Sequence, residues 1–215
     1  MHGFETAKLT VASGRRCQDQ VTVINFESGI VIAVADGAGG TGNGDVAVRT
    51  VIAEIATAAS MTLDQAGWCS LLRQIDHRIG AGESTCVVLS VSHQGISGAS
   101  VGDSQAWLIQ DSVIDNLTRN QIRKPLLGSG EAQPVGFTHA ASPALLMVST
   151  DGFCNYIRKD RLLREYLWHD LAVLPSKMVE MVRLPSGDLW DDIGIVVCKP
   201  RPPDRRHVRY DLDDN

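Results

Sequence analysis

The hydrophobic pattern switches between a period of two and a period near 3.6 along the chain. Short apolar runs come first: LTVA at 9–12, VTVIN at 21–25 and IVIAVA at 30–35. They are rich in β-branched side chains, which pack well on a pleated surface, and predict strands. Glu27-Ser28-Gly29 separates the last two and predicts a hairpin turn. The period then lengthens. In DVAVRTVIAEIATAAS, 45–60, apolar residues fall at 46, 48, 51, 52, 55, 56 and 59, the spacing of one helix face. LDQAGWCSLLRQIDHRI, 63–79, predicts a second helix with Thr62 as its N-cap. No strand lies between the two helices.

Strand patterns return at STCVVLSV (84–91), GISGASV (95–101), AWLIQ (106–110) and SVIDNLT (112–118), with turns at Gln94-Gly95 and Asp103-Ser104. Consecutive strands joined by tight turns predict an antiparallel meander. Residues 119–143, with Gly128, Gly130, Pro134 and Pro143, form a looser connection with room for a short strand. ALLMVST (144–150) reads as a buried strand, 155–168 and 175–184 as helices, and 193–198 as the last strand. Runs of strands with paired helices predict an α+β fold, helices packed on antiparallel sheets, and this many strands in one continuous layout favours two stacked sheets. From Pro200 the chain carries four arginines and four aspartates with few apolar residues. That predicts a single domain over 1–199 and a flexible or peripheral tail over 200–215.

Composition narrows the partners. Of 215 residues, 44% are hydrophobic and 21% charged, with a net charge of −5. An acidic chain lacks the cationic face that nucleic acid or an anionic membrane surface requires. No apolar run approaches the ~18 residues of a membrane span, and the N-terminus has no secretory signal pattern. The expectation is a cytoplasmic protein. Cys17, Cys69, Cys86, Cys154 and Cys198 form no CxxC pair and predict buried free thiols.

The candidate chemistry centres on VIAVADGAGGTGNG, 31–44, where Gly37, Gly39 and Gly42 satisfy G-x-G-x-x-G. A dinucleotide site would need a parallel strand after the helix, ending in an acidic residue about 20 residues on. A second helix stands there instead, and no lysine follows the glycines to make a phosphate loop. The alternative is that Asp36 ends a strand at a metal site. Asp103 and Asp151 end strands in the same way, Asp191-Asp192 opens the last strand, and Asp19 stands just before VTVIN. In antiparallel neighbours one strand's end lies beside the next one's start, so these carboxylates share a rim. Several carboxylates cannot stay ionised together without a compensating cation. Hard ions such as Mg²⁺ or Mn²⁺ suit such oxygen ligands.

These residues resemble the metal-dependent Ser/Thr protein phosphatases, the protein phosphatase 2C family, from about Thr6 to Cys198. Asp36-Gly37-Ala38-Gly39-Gly40 resembles DGxGG, and Gly82-Glu83-Ser84-Thr85-Cys86 resembles G-[ST]-T-A. Gly102-Asp103-Ser104-Gln105 resembles GDSR, Ser149-Thr150-Asp151-Gly152 resembles S-D-G, and Asp191-Asp192-Ile193-Gly194 resembles D-[ND]-[ILV]-[ST]. The Lys124–Gly130 stretch and the compact size look like bacterial members. The resemblance implies a four-layer α-β-β-α sandwich, two stacked antiparallel sheets flanked by helix pairs. It implies two Mn²⁺ or Mg²⁺ ions, with Asp36 bridging them and the Gly37 carbonyl, Asp151 and Asp191 completing the inner ligands. Asp19 would hold a metal-bound water, and Asp103 with Asp151 would take a third, weaker ion. A permanently charged arginine should fork onto the phosphate. Arg15 and Arg16 are the candidates, Arg15 preferred.

The implied activity is hydrolysis of phosphoserine and phosphothreonine in a phosphorylated protein, opposed by a cognate Ser/Thr kinase, by a monomer. No cysteine nucleophile is expected, since C-x5-R is missing after Cys17. Gln18 stands where the family has Glu, Ala38 replaces a His, and Gln105 ends GDSR without its ion-pairing arginine; Asp192 is set aside as a common variant. The departures leave a second reading, a phosphatase-like regulatory module with little turnover. The substrate flap should lie within 119–140 and looks short.

Overall fold

The computed structural model describes residues 3–38, 42–60, 63–110, 112–140 and 145–201. Among the described residues ten strands are present: β1 (Phe4–Val11), β2 (Gln20–Phe26), β3 (Gly29–Ala35), β4 (Cys86–Ser92), β5 (Gly95–Val101), β6 (Gln105–Gln110), β7 (Val113–Asn116), β8 (Val135–His139), β9 (Leu145–Ser149) and β10 (Ile193–Pro200). Five helices join them: α1 (Gly44–Ala58), α2 (Gln65–Arg78), α3 (Asp151–Cys154), α4 (Lys159–Glu165) and α5 (Leu174–Val182). The strands form two antiparallel sheets, ordered β1-β10-β9-β6-β7 and β2-β3-β4-β5-β8.

The four layers follow from strand periodicity. Successive side chains of a strand face opposite sides. In β3, Ile30, Ile32 and Val34 face the other sheet, beside Leu146 and Val148 of β9 and Val196 of β10. The alternate residues Val31, Ala33 and Ala35 face α1 and α2, meeting Val48, Val51, Ile55, Trp68 and Leu72. The second sheet repeats the scheme, with Met147, Ile195 and Val197 turned to α3–α5 and meeting Phe153, Leu162 and Met178. Each central strand therefore feeds two cores, which is why it reads as an unbroken apolar run.

The differences from expectation are local. The N-cap of α2 is Asp64, whose carboxylate accepts from the Gly67 N–H; Thr62 lies outside the described residues. The predicted helix over 155–168 is shorter than expected: α3 ends at Cys154, and the segment holds only α4 and a turn of 3₁₀ helix at Tyr166–Trp168. The connection after β7 holds β8, and His139 closes that strand rather than sitting in a loop. The Lys124–Gly130 stretch is anchored by a buried carboxylate, Asp76, which accepts from Gly128, Gly130 and Ala132 N–H groups at 2.7–3.0 Å. β10 continues to Pro200, paired with Phe4, and the Arg201 N–H donates to the Gly3 carbonyl at 2.8 Å. Among the described residues no helix is long and apolar enough to cross a membrane.

Candidate metal centre

Register brings the aspartates to one end of the sandwich. Gln20 pairs with Ala35, so Asp19 and Asp36 stand side by side just beyond the β2–β3 ladder. Ser149 pairs with Gln105 on one side and Ile195 on the other, which places Asp103, Asp151 and Asp191 at neighbouring strand ends. β3 and β9 pack face to face across the two sheets, so the two groups share one rim.

Main-chain bonds, not its carboxylate, hold Asp36 in place. Its N–H donates to the Thr85 hydroxyl at 3.2 Å. Its carbonyl accepts from the Thr85 N–H at 2.9 Å and the Ser84 hydroxyl at 3.0 Å. Thr85 is fixed in turn against the Ser104 hydroxyl at 2.8 Å. The Ser84-Thr85 and Asp103-Ser104 motifs therefore brace the turn that presents Asp36. Next to it, Gly37 lies against the first residue of α1: a Cβ on Gly37 would come within 2.6 Å of the Gly44 carbonyl carbon and 2.7 Å of its oxygen. Both partners are backbone, so Gly37→Ala is expected to cost about 1–3 kcal/mol by forcing them apart, read as a lower denaturant midpoint. Gly39, Gly40 and Thr41 lie outside the described residues.

Gly152 has a matching role on the other side of the rim. A Cβ there would lie 2.0 Å from the Asp192 carbonyl oxygen and 3.2 Å from the Asp191 Cβ. Only glycine lets the start of α3, which carries Asp151, close on the Asp191-Asp192 pair. The Asp151 carboxylate accepts from the Asn155 amide at 2.9 Å.

The rim is electrostatically strained. Asp19 is 4% exposed, and among the described residues neither of its carboxylate oxygens has a hydrogen-bond partner. The Thr150 hydroxyl lies near enough to favour the ionised form, but it accepts from the Gly194 N–H at 2.8 Å and makes no well-formed bond to Asp19. Burial and the neighbouring Asp36 push the Asp19 carboxyl up to about 9. Burial, then Asp151, with Asp191 and Asp103, push Asp36 up to about 6. Burial, then Asp103 and Asp191, push Asp151 up to about 6, with Arg123 opposing. Asp19 and Asp36 titrate as an interacting pair, both carboxyls held above the ordinary range chiefly by burial.

Among the described residues, no three His, Cys, Asp or Glu side chains close into a finished metal cage. The carboxylates form a looser ring. The fit to hard divalent cations rests on chemistry: oxygen donors only, no cation on most of them, and a buried carboxylate without a donor. Asp36, Asp151, Asp191, Asp103 and Asp19 are the set brought together; the Gly37 carbonyl is beside them.

Asp103 differs from the rest. Its carboxylate meets Arg123 at 3.4 Å. The Gly102 N–H donates to the Ile122 carbonyl at 3.0 Å, which brings this loop to the turn. A guanidinium thus stands where a third ion is expected. The meeting depends on a long loop, and no sequence spacing announces it. Gln105 instead accepts from the Trp107 indole at 2.7 Å and the Asn116 amide at 3.0 Å.

Arg15 and Arg16 are exposed on the loop between β1 and β2 and make no ion pair or hydrogen bond among the described residues. The ends of that loop are tied by Asp192, which is buried. Asp192 Oδ1 accepts from the Ser13 N–H at 2.8 Å and the Ser13 hydroxyl at 2.9 Å, and Oδ2 accepts from the Gln18 N–H at 2.6 Å. Setting Asp192 aside at the sequence level missed this. The signal was present: adjacent residues entering a strand point opposite ways, so two successive carboxylates cannot share one task. The five cysteines are free thiols. Burial pushes the Cys17 thiol up to about 12, which removes it as a nucleophile near neutral pH.

No family model and no curated protein matches this chain. Solved structures do. A variant of a bacterial serine phosphatase superposes with a TM-score of 0.80 at 16% identity, covering 92% of this chain and 98% of that one. The catalytic domain of the serine/threonine phosphatase PstP, in complex with two manganese ions, gives 0.77 at 17% identity, covering 94% and 100%. PppA, a regulatory component of the type VI secretion system of Pseudomonas aeruginosa, gives 0.76 at 16%, covering 93% and 98%. The two-sheet sandwich expected from the motifs is thus the fold of bacterial serine/threonine phosphatases.

Proposed function

We propose that this chain is a metal-dependent phosphatase acting on phosphoserine and phosphothreonine in proteins. The observation that carries the reading is Asp19: a buried carboxylate without a donor, ringed by like charges, in a fold shared with Ser/Thr phosphatases. Asp36, Asp151, Asp191 and the Gly37 carbonyl would hold two Mn²⁺ or Mg²⁺ ions. When bound, such ions offset the charge of the phosphoryl oxygens and acidify a water for in-line attack. Asp19, lacking any protein donor among the described residues, would hold a water beside those ions by accepting its hydrogen bond. Arg15 and Arg16, uncommitted cations on the neighbouring loop, are suited to bind and orient the phosphate. The high thiol pKa at Cys17 fits direct attack by water, with no covalent enzyme intermediate.

Hydrolysis of p-nitrophenyl phosphate with Mn²⁺, with and without a chelator, tests the proposal. Turnover that a chelator abolishes and Mn²⁺ restores is the expected result. No turnover at any Mn²⁺ level, with Asp36→Ala indistinguishable from wild type, would overturn it. A second reading, binding without turnover, draws on Gln18 in place of Glu. Calorimetric Mn²⁺ binding without hydrolysis of a phosphopeptide would select it.

A further inference from the structure

We propose that Asp192 is a positioning residue that pinches the arginine loop shut and sets where Arg15 and Arg16 stand against the acidic rim. The kinetic part of this inference rests on the phosphatase reading; the structural part does not.

The geometry is specific. The two oxygens of one carboxylate divide their work, Oδ1 taking both donors of Ser13 and Oδ2 taking the Gln18 N–H, across a sequence separation of 174–179 residues. Between the two tied ends lie only Gly14, Arg15, Arg16 and Cys17. The Cys17 thiol donates to the Asp19 carbonyl at 3.6 Å, a weak contact. Asp192 also reaches the rim through its backbone. Its N–H donates to Asp191 Oδ1 at 2.8 Å, and its carbonyl abuts Gly152 at the start of α3. One residue therefore touches the loop, a candidate metal ligand and the element that carries Asp151.

The residue type follows from the donors. Three N–H or O–H groups converge, so both oxygens must accept. Asparagine, which the family pattern also admits here, offers one oxygen. Its amide NH₂ would face either Gln18 or Ser13 donor to donor. Charge-assisted bonds to a buried carboxylate are also stronger than bonds to an amide. The pinch thus specifies aspartate over its near-isostere. Its consequence is that the two arginines are carried on a short, closed loop, with less ordering left to do when an anion binds.

The test is Asp192→Asn in the full Mn²⁺-loaded chain, with inorganic phosphate as the probe. Trypsin cleavage after Arg15 or Arg16 should become at least about tenfold faster, and phosphate affinity should fall about tenfold, as for other supporting contacts of a metal site. Mn²⁺ affinity should stay within about threefold, since Asp191 and the residue-192 N–H are retained. For p-nitrophenyl phosphate, KM should rise while kcat holds within about threefold, the pattern of lost binding common to ground and transition states. In an Arg15→Ala, Arg16→Ala background the same substitution should no longer change phosphate affinity, because it acts through the arginines. Ser13→Ala, which removes one donor from the other side of the pinch, should shift loop cleavage and phosphate affinity the same way by less, and decides the matter if D192N fails to fold. Unchanged loop cleavage and phosphate affinity would overturn the proposal, as would phosphate and Mn²⁺ affinities falling together. If wild type hydrolyses no phosphomonoester, the phosphatase reading fails, while cleavage and phosphate binding still decide this one.

Discussion

If the proposed activity holds, Asp36→Asn should lower Mn²⁺-dependent phosphomonoester hydrolysis more than about 100-fold and leave the fold intact. The size follows from its place: losing even a supporting contact of a metal site costs about 10–100-fold, and Asp36 is at the centre of the ring. Asp151, Asp191 and Asp103 all act on its charge. The fold survives because the contacts that hold the turn come from the Asp36 N–H and carbonyl, bonded to Thr85 and Ser84. Asparagine keeps that backbone and removes only the charge. In the metal-free protein the variant should melt higher than wild type at pH 8, because one member of a repelling set is gone. A residue whose neutralisation stabilises the protein while abolishing turnover is a functional one. Equal activity in the two proteins, or a lower melting temperature for the metal-free variant, would refute this account.

The metal-free protein should lose stability as pH rises, and Mn²⁺ should restore it. The three rim carboxyls have folded pKa values above their ordinary unfolded value of 3.8: Asp36 and Asp151 at about 6, Asp19 at about 9. Below about pH 4 both folded and unfolded chains hold these protons. As pH rises, the unfolded chain releases them first and gains. Stability falls between pH 4 and 6 through Asp36 and Asp151, and on to about pH 9 through Asp19. For Asp36 alone a rise of about two pKa units, discounted for partial solvent access, is ~2 kcal/mol. That corresponds to about 4–8 °C in melting temperature for a chain of this size. Scanning calorimetry with chelator should find a lower melting temperature at pH 8 than at pH 5, and Mn²⁺ should raise it far more at pH 8. A metal-free melting temperature that is flat or rises over this range would contradict the assignment of these carboxyls.

Much of this was legible in the sequence because the strands are regular. IVIAVA and LLMVST are apolar on both faces, and that continuity already requires a layer on each side. The aspartates were legible because Asp36, Asp103 and Asp151 follow such runs while Asp19 and Asp191 precede them, and antiparallel pairing sets one strand's end beside its neighbour's start. Three features were missed. The helix predicted over 155–168 is reduced to α4 and a 3₁₀ turn, with Phe153 of α3 and Leu162 of α4 sharing one core with α5, a tertiary arrangement that no local spacing records. Arg123 reaches Asp103 through a loop whose path depends on Asp76, 47 positions earlier in the chain. Asp192 was visible yet misread, since its partners at Ser13 and Gln18 lie at the opposite end of the sequence.

The pairing of β1 with β10 has a consequence for where the chain can be closed. Phe4 lies opposite Pro200 and Arg201 is bonded to Gly3, while Val11 and Ile193 mark the rim end of the same two strands. At about 3.3 Å per residue, the eight-residue ladder sets Gly3 and Arg201 roughly 25 Å from the carboxylates. Gly3 and Arg201 therefore stand side by side at the pole away from the acidic rim. A short linker joining these two positions directly would close the chain there and allow new ends to be opened elsewhere in the sandwich.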